Sequence, residues 1–165
     1  MASNNHYLML TGATGLLGRS LLRDLAAAGR RIAVLVRPSK GASAFERIDE
    51  LLLDWQEVAG ADVPFPVVLT GDITQAENVD EIIHSAASLS FQKRESDGEP
   101  YRSNVDGTAN VLEFCRTTGV RRLHHVSSAY VCGLREGRIL ESELDVGQTP
   151  GNDYERSKIT SETAA

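Results

Sequence analysis

Short apolar runs of strand type alternate along the chain with segments whose apolar residues recur every three or four positions. The runs are Tyr7–Leu10, Ile32–Val36, Val67–Leu69, Glu81–Ser85 and Leu123–Val126. Leu17, Leu21, Leu25 and Ala28 make one helical stripe, with Gly29 as its C-terminal stop. Phe45, Ile48, Leu52, Trp55 and Ala59 make a second, so Trp55 is expected in the core. A third helix, from about Asn104 to Thr118, aligns Val105, Ala109, Leu112 and Cys115, which gives Cys115 a packing role. A Gly/Glu-rich loop over 133–152 leads to a last helix starting near Tyr154. This alternation predicts an α/β fold with a doubly wound parallel sheet.

The connection between the third and fourth strands is short. In a sheet ordered 3-2-1-4-5 it must span about 14 Å across the strands and about 17 Å along them, about 22 Å in all. About eight extended residues reach roughly 26 Å. Residues 70–80 therefore have room for at most one helical turn.

A length of 165 residues predicts one domain, and 41% hydrophobic with 24% charged residues excludes a disordered chain. With 17 Lys+Arg against 23 Asp+Glu, the net charge of -6 argues against a nucleic-acid partner. No apolar run approaches the roughly 18 residues of a membrane span. The polar start Met1–His6 lacks a basic leader, so a cytoplasmic location is expected. Cys115 and Cys132 lack metal-ligand spacing, and no metal site is expected.

Gly12, Gly15 and Gly18 form TGxxGxxG between the first strand and its helix. Glycine there permits a tight turn and lets a dinucleotide pyrophosphate approach the backbone, while the helix N-terminus offers unpaired N–H groups. At the end of the second strand, where an NAD site carries a carboxylate, this chain has Val36-Arg37-Pro38, with Lys40 and Arg47 nearby. Guanidinium binds a 2′-phosphate, so NADP(H) is the expected cofactor rather than NAD.

Tyr154-Glu-Arg-Ser-Lys158 places a phenol and an ammonium one helical turn apart. A nearby Lys⁺ favours the phenolate and tunes the tyrosine for proton transfer at a carbonyl oxygen. Ser128, after the fifth strand, is placed to hydrogen-bond the same oxygen. His84, His124 and His125 are read as structural. Period two puts the last two on opposite faces, so at most one of them faces a ligand.

With TGATGLLG (11–18), GDIT (71–74), HSAAS (84–88), NVDGT (104–108), VSSAYVCG (126–133) and NDYERSK (152–158) in this order, the chain resembles the extended short-chain dehydrogenase/reductase family. Within it, VLVRP (34–38), the Arg47 helix and GNDYERSK are most similar to the male-sterility group of fatty acyl-CoA and thioester reductases. The resemblance implies an NAD(P)-binding Rossmann fold over residues 1–165, with no second domain. The family continues with a substrate lobe, absent here because the chain stops seven residues after Lys158.

By the same resemblance Thr11, Gly12, Thr14, Gly15, Leu16 and Gly18 hold the pyrophosphate, and Arg37, Lys40 and Arg47 the 2′-phosphate. Asp72 and Ile73 meet the adenine, with a turn role as the alternative for Asp72. Ala86, Ala87 and Ser88 flank the cofactor. Tyr154 is the general acid, Lys158 binds the nicotinamide ribose and lowers the tyrosine pKa, and Ser128 orients the substrate oxygen. Asn104 is either a fourth catalytic member or simply the N-cap of its helix.

The implied activity is NADPH-dependent hydride transfer to a small-molecule carbonyl or an acyl-thioester, the carrier-protein-bound form included. The alternatives are a sugar epimerase or dehydratase, a hydroxysteroid-type dehydrogenase, and a cofactor-binding fragment or sensor without turnover. Sequence leaves the oligomeric state open.

Overall fold

The computed structural model describes residues 6–59 and 64–165. The polar start before His6 lies outside the described residues. The chain divides into two compact units, one formed by residues 1–86 with 114–124, the other by 87–113 with 125–165.

The first unit carries the sheet. β1 (Tyr7–Thr11), β2 (Ile32–Val36), β3 (Val67–Thr70), β4 (Val79–His84) and β5 (Arg122–His125) lie in the order β3-β2-β1-β4-β5, as expected. β1 pairs in parallel with β2 (Leu8↔Ile32) and with β4 (Thr11↔His84), and β2 pairs with β3 (Val36↔Thr70). Leu8, Met9 and Leu10 are all buried, which is why this central strand reads as an unbroken apolar run rather than an alternation. The strand bounds differ from the sequence reading by a residue or two, most at β4, which begins at Val79.

α1 (Leu16–Ala27) ends as the sequence predicts, with Gly29 at φ +70° and the Arg30 N–H returning to the Leu25 carbonyl. Its buried face is Gly18, Leu22 and Ala26, not the stripe expected from Leu17. Leu21 and Leu25 pack at the margin, and Leu17 is half exposed. The reason lies at Gly18: a Cβ there would stand 2.0 Å from the Gly12 carbonyl oxygen, so the helix turns its glycine face to the sheet to reach closest approach.

α2 (Ala44–Ala59) opens with a capping box. The Glu46 N–H donates to the Ser43 hydroxyl, and the Ser43 N–H donates to the Glu46 carboxylate. Ile48 and Leu52 are buried and Trp55 packs on the same core, as expected. Phe45 is instead exposed and stacks on Phe65, with ring centroids 4.6 Å apart. The side chain of Ala59 lies outside the described residues. Between β3 and β4 the chain makes one short 3-10 turn, Ile73–Gln75, which meets the distance argument for this link.

A π turn over Arg102–Asp106 runs directly into α3 (Gly107–Thr118). The residues buried along this stretch are Asn104, Thr108 and Val111, then Phe114, whereas Ala109 is exposed and Leu112 and Cys115 are half-buried. The expected face is corrected by about one position. An apolar count misses it because two of its members are polar, and the wide π turn shifts the phase of α3.

In the second unit a 3-10 turn, Ala129–Cys132, comes after β5, and α4 (Asp153–Ala164) closes the chain. Asn152 caps α4 by accepting from the Glu155 N–H at 2.9 Å while its amide donates to the Glu155 carboxylate.

Candidate functional site

The carboxyl ends of β1 and β4 meet where the sheet changes winding direction, the usual ligand crevice of an open α/β sheet. Gly12 occupies that point with φ +74°, and a Cβ on it would lie 2.6 Å from the Ala86 nitrogen. Backbone approach alone therefore demands glycine at positions 12 and 18. Gly15 differs, because its Cβ would meet only the Gly12 oxygen, at 3.3 Å. Gly15 is also the N-cap of α1, with no side-chain cap and no acidic residue in the first turn. The exposed amide end of α1 is thus left for an external anion, which fits a pyrophosphate.

Thr11 is buried and serves the scaffold. Its hydroxyl meets His84 Nδ1 at 2.7 Å and accepts from the Ala86 N–H at 3.2 Å. His84 is accordingly structural, as expected. Arg47 reaches across from α2: Nη2 donates to the Thr14 hydroxyl at 2.8 Å and Nη1 to the Arg37 carbonyl at 2.5 Å. It stands beside the helix end and the end of β2 together. Arg37 and Lys40 are exposed at the same strand end, and Leu16 is almost fully exposed.

Asp72 makes a local turn. Its Oδ1 accepts from the N–H and hydroxyl of Thr74, and those bonds hold its pKa below the usual value. Asp72 remains exposed and Ile73 half-buried.

In the second unit Tyr154 and Lys158 lie one turn apart on α4, both buried. Burial pulls the Lys158 pKa down, with the Glu162 carboxylate opposing in part. Its Nζ donates to the Val126 carbonyl at 2.9 Å. The Tyr154 ring receives Phe91 edge-on, with centroids 6.0 Å apart. Ser128 caps the 3-10 turn by accepting from the Tyr130 N–H, so its own O–H stays able to donate.

Asn104 is not an N-cap. It sits inside the π turn, 1% exposed, and its side chain bridges two segments. Oδ1 accepts from the Ser88 N–H at 2.7 Å, and Nδ2 donates to the Ser88 carbonyl at 3.0 Å and to the Ser157 hydroxyl at 2.8 Å. Asn104 thus holds the stretch of chain after Ala87 to the helix that carries Tyr154 and Lys158.

Sequence reasoning missed Asp153, which accepts from the Tyr101 hydroxyl at 2.7 Å and from the Lys93 N–H at 2.8 Å, and it missed the Ser127–Glu162 hydrogen bond. No motif announces either, since both pair residues far apart in sequence. No group of His, Cys, Asp and Glu suited to a metal occurs among the described residues, and none of their helices is long and apolar enough to cross a membrane.

Residues 10–165 match the NAD-binding family model described as male sterility protein. The chain belongs to the male-sterility NAD-binding family of extended short-chain dehydrogenase/reductases. Sterol demethylase protein B of Methylococcus capsulatus is 31% identical over 93% of this chain and 44% of its own length. The chloroplastic fatty acyl-CoA reductase 2 of Arabidopsis thaliana is 28% identical over 84% of this chain and 27% of its own. Among solved structures, the terminal R domain from the myxalamid PKS-NRPS biosynthetic pathway superposes with a TM-score of 0.76 at 27% identity, covering 98% of this chain and 45% of that one. This male-sterility chain therefore spans less than half the length of these relatives.

Proposed function

We propose that this chain is the cofactor-binding and catalytic part of an NADPH-dependent reductase of carbonyl or acyl-thioester substrates, with residues 1–165 serving as one NADP-binding domain. NADPH supplies a hydride when bound. The amide end of α1 and Gly15 hold its pyrophosphate, and Arg47 with Arg37 and Lys40 favours the extra 2′-phosphate charge. Ala86, Ala87 and Ser88 flank it.

Tyr154 gives its proton to the substrate oxygen as the carbonyl carbon is reduced, and Ser128 donates a hydrogen bond to that oxygen. Lys158 favours the tyrosinate left behind. With a thioester the resulting hemithioacetal breaks its C–S bond, the hydroxyl proton leaving with the sulfur as a thiol, and an aldehyde remains; a further hydride and proton give the alcohol. Asn104 fixes α4 rather than touching substrate. The likeness to a fatty acyl-CoA reductase and to a PKS-NRPS terminal domain supports a thioester over a free ketone, including one borne by a carrier protein.

One observation carries the reading: Lys158, 2% exposed with its pKa lowered by burial, lies one turn from the buried Tyr154. The test mixes the protein with NADPH and, separately, a fatty acyl-CoA, a ketone, a nucleotide-sugar and a sterol. NADPH oxidation with the acyl-CoA is expected. Turnover of the nucleotide-sugar or the sterol in its place overturns the thioester assignment.

A further inference from the structure

At the amino edge of the sheet, opposite the glycine loop, the first unit contains a cleft of about 450 Å³ whose lining includes Arg30, Arg31, Arg121, Arg122, Asp80 and Glu81. The two Arg-Arg pairs enter β2 and β5, which are separated in the sheet by β1 and β4. Four guanidinium groups thus face two carboxylates in a chain whose net charge is -6.

The carboxylates are already used. Glu81 accepts from Arg30 at 2.6 Å and pairs with His124 Nε2 at 2.9 Å, and the Arg30 bond holds its pKa low. Asp80 accepts from Arg121 at 2.6 Å. Arg31 is fixed by a 2.7 Å bond to the Tyr7 hydroxyl and lies over the Tyr7 ring, 4.4 Å from its centroid. Arg122 is exposed; its guanidinium makes no hydrogen bond among the described residues, and its charge adds to that of Arg30 in holding the Glu81 pKa low.

The carboxyl ends of α1 and α3 precede β2 and β5 and oppose an anion, each by roughly half a charge. The lining still keeps about one positive charge in excess after both are counted. Arg30, Arg31 and Arg121 are each engaged by a partner, which leaves Arg122 as the guanidinium available to turn its paired N–H groups toward the oxygens of a phosphate. We propose that this cleft binds a phosphate group, with Arg122 as its principal ligand, at a site separate from the dinucleotide loop.

The test is a titration of the isotope-labelled chain with inorganic phosphate, glycerol phosphate and acetate at constant ionic strength, monitored at backbone amides. Saturable shifts at residues 29–31 and 121–123 are expected with the phosphates, weakened about tenfold by Arg122→Ala and less by Arg122→Lys. Tighter binding of glycerol phosphate identifies an organic phosphate as the ligand; equal binding identifies the free ion. The proposal is overturned if only the Gly12–Gly18 amides shift, if acetate binds as well as phosphate, or if Arg122→Ala changes nothing.

Discussion

The side-chain amide of Asn104 donates to the hydroxyl of Ser157 at 2.8 Å, so a π turn before α3 anchors the middle of the helix bearing Tyr154 and Lys158. Asn104→Ala leaves the partly buried Ser88 backbone groups and the buried Ser157 hydroxyl without these partners. A loss of about 2–4 kcal/mol in unfolding free energy is expected, since each orphaned group costs about 1–3 kcal/mol. Asn104→Asp keeps the acceptor for the Ser88 N–H but loses both amide donations, and a denaturant titration should place it between wild type and alanine.

Gly15 and Gly18 separate packing from ligand binding. A Cβ at position 18 would stand 2.0 Å from the Gly12 oxygen, against 3.3 Å at position 15. Gly18→Ala should cost ~3 kcal/mol or more through overpacking. Gly15→Ala should stay folded within ~1 kcal/mol and lose affinity for the dinucleotide. Thermal unfolding with and without NADP+ reads both outcomes.

Arg47 makes the corresponding statement about cofactor choice. Arg47→Ala removes a guanidinium that sits on Thr14 and the Arg37 carbonyl. NADP+ affinity should fall roughly tenfold while NAD+ affinity barely moves, because only the former carries the 2′-phosphate.

Tyr154→Phe deletes the proposed acid and leaves the ring that meets Phe91. Turnover in the full enzyme should drop by about 100-fold or more with NADPH binding preserved. A variant that retains wild-type turnover assigns the proton to another group.

His125 gives a pH prediction. Burial, then the Lys158 charge, lowers its pKa below the ordinary 6.5, with Glu162 opposing. The unfolded chain therefore binds this proton more readily than the folded one, and stability declines as pH falls through 6.5 toward the folded value. His125→Gln should flatten that part of the stability profile between pH about 7 and about 5.

Much of the fold is legible in the sequence because strands and glycine loops are written locally. β1 and β2 announce themselves as continuous apolar runs, and the glycines at 12, 15 and 18 fall between a strand and a helix. Helix faces are less legible. α1 turns toward Gly18, a residue with no apolar side chain to count, and the face beginning at Asn104 is built from polar residues whose hydrogen bonds let them be buried. Asn104 stands out in the sequence as either a catalytic member or a helix cap; the cap falls because the turn before it is helical too, which a sequence does not announce. The Arg47 contacts and the cleft at Arg122 join residues far apart in sequence, and periodicity is blind to such pairs.

The proposed function requires NADP(H) at the amide end of α1, with Arg47 reading the 2′-phosphate. Measuring thermal unfolding while NADP+ or NAD+ is titrated into the 165-residue chain tests it most directly. A saturable rise is predicted with NADP+, equivalent to about 2.7 kcal/mol at a hundred times the dissociation constant, and a smaller one with NAD+ at equal concentration. No rise with NADP+, or an equal rise with both, contradicts it.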